Sequence, residues 1–159
     1  MAVEQGNDHT RLLGGDTRGV DAEAIRWLRQ QVTQRLETAR EACHGNDGRW
    51  VGRQQTQHGP HGHLRDGEGD VVVYDEGSPS DAEFEHIALN DPQDVIARCE
   101  AELAIMTRCE AVLAAFADPE RGLWPDVTRR ERTHASATLH DLAAGYRHRD
   151  GYAQHWGEE

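Results

Sequence analysis

The chain has 159 residues, of which 36% are hydrophobic and 29% charged, with a formal net charge of −12. That length suits one domain, and the acidity as a whole repels nucleic acid and anionic membrane while suiting solubility or a basic partner. No apolar run approaches the ~20 residues of a membrane span, so no membrane association is expected.

The charge is unevenly spread. From Asp66 to Ala97 there is no Lys or Arg, against ten acids, whereas Arg121, Arg129, Arg130, Arg132, Arg147 and Arg149 crowd the last third. All 17 basic residues are Arg, which points to a GC-rich genome rather than to a structural need. Cys43, Cys99 and Cys109 are too few and too scattered for a disulfide framework and read as small apolar residues of a reduced compartment. The N-terminus has no signal-peptide core, so the cytoplasm is the expected location.

Residues 1–20 are Gly-rich and polar and read as a flexible extension. The first helix is expected from Ala22 to Cys43, with Asp21 as N-cap and an apolar stripe of Ile25, Leu28, Val32, Leu36, Ala39 and Cys43 stepping by three and four. Trp27 falls opposite that stripe. It either finds a second layer, the preferred reading, or stands exposed as an anchor for a partner. Glycines and histidines then break the pattern. Arg49–Val51 and Val71–Tyr74 are the strand candidates, forming a short β-hairpin around a His/Gly-rich loop insertion at about 53–69.

Ser80 and Glu83 form a capping box for a short helix ending near Leu89. Asp91-Pro92 then opens the strongest helix of the chain, Pro92 to Ala117, with Asp at the N-cap and Pro at the first helical position. Its broad apolar arc (Cys99, Leu103, Met106, Cys109, Leu113, Phe116) suits a central helix. Thr128 and Glu131 match a second capping box for a last helix ending near Gly145, after which Tyr146, Tyr152 and Trp156 fold back over the body. The fold expected is mainly α with a minor β part. A small helical bundle would surround residues 92–117, as one domain over 21–157.

His58, His61 and His63 supply three imidazoles within six positions, a donor set that suits zinc. Paired Cys are lacking and Gly59-Pro60 and Gly62 do not preorganise ligands, so a polar loop is the preferred reading and no cofactor is expected. Asp66, Glu68 and Asp70 imitate the start of a calcium loop, but Val71 stands where Gly is required and Gly77 where Glu is required. Glu102 lies within the apolar arc, where its spacing from Arg98 and Asp94 favours a helical ion-pair ladder over a buried acid. No GxSxG, P-loop, GxGxxG or CxxC is present.

The segment DAEFEHIALNDPQDVIARCEAELAIM (Asp81–Met106), the Gly48-Arg49-Trp50 step and the ending AGYRHRDGYAQHW (Ala144–Trp156) resemble, in order, the domain of unknown function 6221. That family belongs to small proteins of Streptomyces-like actinobacteria and their phages. Trp50, His86, Asp91, Pro92, Glu100, Tyr146, His148, Tyr152 and Trp156 stand at the matching positions, while Asn90, Glu102 and Gly151 depart from the pattern. The resemblance implies an α-rich fold and no particular activity. It leaves Trp50, His86, Asp91, His148, Tyr152 and Trp156, with Trp27, as the pocket or interaction candidates, packing being the preferred role.

The leading expectation is a non-catalytic accessory protein that presents an acidic face to a protein partner or to a second copy. Phage origin would allow a virion or assembly component. A metal protein or enzyme built on His86, His148 or the histidine loop is the second class, and nucleic-acid binding through the C-terminal arginines the third.

Overall fold

The computed structural model describes residues 20–43, 45–52, 64–73, 80–117 and 128–157. Five helices and three short strands form among them: α1 (Ala22–Ala42), β1 (Val51–Gly52), β2 (Leu64–Arg65), β3 (Val71–Val73), α2 (Asp81–Ala88), α3 (Pro92–Ala117), α4 (Arg129–Ala144) and α5 (Tyr152–Trp156). The chain is mainly α with a minor antiparallel β part, as the periodicity predicts. The N-terminal extension and the histidine cluster at His58, His61 and His63 lie outside the described residues.

Each long helix begins where a side chain can take up its orphan backbone donors. The N–H of Ala24 donates to Asp21 Oδ1 at 2.6 Å and starts α1. At α2, Glu83 N–H donates to Ser80 Oγ while Ser80 N–H donates back to Glu83 Oε2 at 2.7 Å; Thr128 and Glu131 repeat the arrangement at α4.

Residues 26–107 form one compact unit, and residues 1–25 with 108–159 form another. In the first unit, Leu28, Val32, Leu36 and Ala39 on α1 are buried, and so are Cys99 and Met106 on α3. Arg29 Nη2 donates to Thr107 Oγ1 at 3.5 Å and Arg40 Nη2 to Glu100 Oε1 at 3.0 Å, so the two helices run antiparallel there. The Arg40–Glu100 pair is exposed and contributes at most about 1 kcal/mol; the apolar stripe holds the helices together. Trp27 is only 9% exposed, which places it in a second packed layer and not at the surface as a partner anchor.

The sheet differs from the expected hairpin. β1 and β3 do not pair with each other; both pair antiparallel with β2, in the order β1-β2-β3. Leu64 supplies the reason. It is a lone apolar residue in a polar run, fully buried, and its burial draws the chain back between the two predicted strands. A shift of register at Leu64–Arg65 and a tight turn on Asp66 join β2 to β3. Asp66 Oδ1 accepts the N–H groups of Glu68 and Asp70 at 3.0 and 2.9 Å, so the resemblance to a calcium loop reflects an Asx-type turn.

In the second unit, Ala135, Leu139 and Ala143 form the buried face of α4, and Tyr146 and Trp156 are buried after it. The expected folding-back of the aromatic tail takes place through α5, a five-residue helix entered at Gly151 with φ +85°. Arg132 sets its guanidinium 5.1 Å from the Phe116 ring centroid, and these two residues, with Val20, Leu113 and Ala117, line an open cleft of about 460 Å³.

The capping box at α4 carries a pH signature. Hydrogen bonds from the Thr128 backbone N–H, and next from its hydroxyl, hold the Glu131 carboxyl below the ordinary 4.5. A value lowered in the folded state means that the box stabilises above the unfolded value and is lost as pH falls through the lowered one. An NMR titration should therefore show Glu131 titrating below 4.5 with the Thr128 amide following the same curve, and Thr128→Ala, which removes the hydroxyl but keeps the backbone N–H, should move Glu131 part of the way back up. Identical titration in both proteins would rule the capping account out.

Candidate functional site

Among the described residues Asp91 is the one buried charged side chain, 5% exposed, and it stands at the N-cap of α3. Its Oδ1 accepts the N–H of Asp94 at 2.8 Å, its Oδ2 that of Trp50 at 3.4 Å, and its carbonyl that of Val95 at 3.0 Å. Pro92 has no N–H to satisfy, and Gln93 N–H donates to the carbonyl of Gly48 at 3.2 Å. Every donor of the first turn of α3 is thus taken up within the chain, two by Asp91 and one by Gly48. The Gly48-Arg49-Trp50 segment is clasped on the start of α3, and this clasp is what positions β1.

Gly48 is required by that closeness. Its φ is +68°, and a Cβ there would lie 2.5 Å from Cys43 Sγ and 3.3 Å from Pro92 Cβ. The turn before it is held by Asn46, whose Oδ1 accepts Gly48 N–H at 2.9 Å and whose Nδ2 donates to Asp66 Oδ2 at 2.8 Å. Asn46 therefore ties the clasp to the β2–β3 turn. Spacing in the sequence carries no mark of this link, because the partners are 20 positions apart and neither belongs to a periodic pattern.

His86 is exposed on the last turn of α2, and its carbonyl accepts Asn90 Nδ2 at 2.7 Å. Asn90 Oδ1 in turn accepts Arg98 Nη1 at 3.2 Å, and Arg98 Nη2 donates to the carbonyl of Leu89 at 3.1 Å while lying 3.9 Å from Asp94. Asn90 and Arg98 together close the end of α2 against α3. The Asp94–Arg98 step of the expected ladder is present; Glu102 is half-buried.

The remaining candidates lie in the second unit. His148 is exposed and Tyr152 half-buried, whereas Trp156 is buried and meets the His140 ring edge-to-face at a centroid distance of 5.0 Å. His140, which the sequence reading passed over, is thus the α4 side of the α4–α5 contact. Cys99 and Cys109 are buried, and that burial pushes both thiols above the ordinary range. Among the described residues no group of three or more His, Cys, Asp or Glu is placed to hold a metal ion, and no helix is long and apolar enough to cross a membrane.

Fold and site together define a mainly helical protein in which a Gly-x-Trp segment is hydrogen-bonded to the N-terminus of the longest helix. The chain belongs to the family of unknown function DUF6221, whose model matches residues 21–158. No curated protein and no solved structure matches it.

Two substitutions test the clasp. Gly48→Ala should cost about 2–4 kcal/mol in urea unfolding, against about 1 kcal/mol for Gly45→Ala, whose φ is also positive but whose Cβ would meet nothing within 4 Å. Adding Cys43→Ala to Gly48→Ala should recover part of the loss, and strict additivity of the two would refute the Sγ contact. Asp91→Ala should cost about 2–3 kcal/mol, since it removes the cap and leaves the Trp50 N–H unpaired. Asp91→Asn keeps an oxygen for Asp94 and should cost roughly half as much; no loss at all would mean that the second carboxylate oxygen is idle.

Proposed function

We propose that the chain is a non-catalytic interaction module whose unit of residues 26–107 binds a basic protein partner. One observation carries this reading: Val51 on β1 and Leu89 at the end of α2 are 62% and 58% exposed, and α2 packs on β1. Large apolar side chains left in solvent on neighbouring elements are the kind of anchor that a partner buries. Leu89 lies in an acidic stretch with no Lys or Arg from Asp66 to Ala97, which favours a cationic counterpart and disfavours nucleic acid. Asp91, the buried carboxylate among the described residues, has both oxygens engaged by backbone donors.

A photo-reactive phenylalanine derivative placed at Leu89, and at the exposed Ala137 of α4 as control, tests the reading in extract of the source cell. Cross-linking should come from position 89, fade as salt rises, and disappear when Val51→Asp is added, while that exposed substitution changes stability by no more than about 0.5 kcal/mol. Equal cross-linking from both positions, together with a strictly monomeric scattering profile, would refute it.

A further inference from the structure

An Asp followed by Gly is a chemically labile step of a polypeptide. The glycine amide nitrogen attacks the aspartate carboxyl carbon, an N–Cγ bond forms, and one carboxyl oxygen leaves as water. The five-membered imide then takes water back at either carbonyl. Opening on the main-chain side leaves an isoaspartate, whose backbone runs through Cγ and is one atom longer. Water is the only species lost and regained, and glycine allows the attack because it has no Cβ to obstruct it.

Three such steps occur in the chain, Asp47-Gly48, Asp66-Gly67 and Asp150-Gly151. The first two lie in the unit of residues 26–107, and the fold uses both glycines. Gly48 has its φ of +68° and Cys43 Sγ close against it, and a Cβ on Gly67 would sit 2.7 Å from Asp47 Oδ1. A side chain at either place disturbs the clasp or the adjoining turn, so the labile steps come with the architecture.

Asn46 holds a reacting group of each step. Its Oδ1 accepts the N–H of Gly48 at 2.9 Å, which engages the nitrogen that would attack Asp47. Its Nδ2 donates to Asp66 Oδ2 at 2.8 Å, which engages the carboxylate that the Gly67 nitrogen would attack. Asp47 Oδ1 accepts Arg49 N–H, and Asp66 Oδ1 accepts Glu68 N–H and Asp70 N–H, so both carboxylates are directed to amides beyond their glycine. Reaction at either step has to wait for these bonds to open.

We propose that Asn46 is a chemical guard of this unit, keeping Asp47-Gly48 and Asp66-Gly67 from isomerising to isoaspartate. Isomerisation at residue 47 would lengthen the backbone beside Gly48, whose carbonyl accepts Gln93 N–H, and so loosen the join to α3. At residue 66 it would displace the acceptor around which the β2–β3 turn closes. The inference is independent of the interaction reading above.

The test ages the full chain for several weeks at neutral pH in water enriched in heavy oxygen, which marks every residue that has passed through the imide. Digestion and mass spectrometry with electron-transfer fragmentation then measure isoaspartate at each step, and amide NMR confirms that each variant is folded. Asn46→Ala should raise isoaspartate at 47 and 66 by about threefold to tenfold, the range set by the loss of one hydrogen bond at each step, and leave 150 unchanged. Asn46→Asp keeps an acceptor for Gly48 N–H but has no donor for Asp66, so it should raise 66 alone. In folded Asn46→Ala, no rise at 47 and 66, or an equal rise at 150, would overturn the proposal. If Asn46→Ala does not fold, Asn46→Asp decides: an equal rise at 47 and 66, or none at 66, would equally overturn it.

Discussion

Asp91 occupies the place where three parts of the first unit meet. From one buried position its carboxylate ends the N-terminus of α3 and accepts the backbone of Trp50, while Gly48 accepts the next donor of the same helical turn. A buried carboxylate is tolerable only where donors surround it, and here all the donors are backbone N–H groups whose geometry is fixed by the helix and the clasped segment. The rest of the unit is arranged around that constraint. Gly48 must be small because Cys43 and Pro92 close on it, Asn46 must hold the turn, and Asn90 with Arg98 must bring the end of α2 to the corner.

The acids of the central stretch separate into two groups once their partners are known. Asp66, Glu83, Asp91 and Asp94 are engaged in a turn, a capping box, the clasp and an ion pair, respectively. Glu68, Asp70 and Glu85 stand exposed. The net charge alone treats all of these alike, yet the first group is held in fixed places by donors of the chain, with Asp94 also offset by the Arg98 cation, while the second group is open to solvent. That division is why an acidic composition becomes a directional surface property only when structure is added.

How far the sequence could be read follows from the range of each interaction. α3 was legible to the residue because Asp-Pro fixes its start and a 3.6-residue apolar period sustains it, and the two capping boxes marked α2 and α4 because their partners lie three positions apart. β2 was not legible. A single Leu64 has no period, and its burial depends on neighbours distant in the chain. α5 was likewise too short to show a pattern, although the return of Trp156 to the body was expected. Of the candidate site residues, Asp91 and Trp50 come together, which their separation of 41 positions does not reveal. Trp27 is buried, and His86 and His148 are exposed.

The separation of 41 positions between Trp50 and Asp91 also orders events in time. The capping boxes and the Asn90–Arg98 corner join residues three to nine positions apart, so they form with little loss of chain freedom. Closing the longer loop costs about 2 kcal/mol more in chain entropy than closing a three-residue one, before any bond repays it. Helical segments with their own local stop and start signals therefore come first, and the join between Gly48-x-Trp50 and α3 is a late step that locks pieces already shaped. A chain built this way would emerge from synthesis with its β1 segment waiting until residue 95 has been made, since the acceptor Asp91 exists as a helix cap only after the turn beyond it has wound.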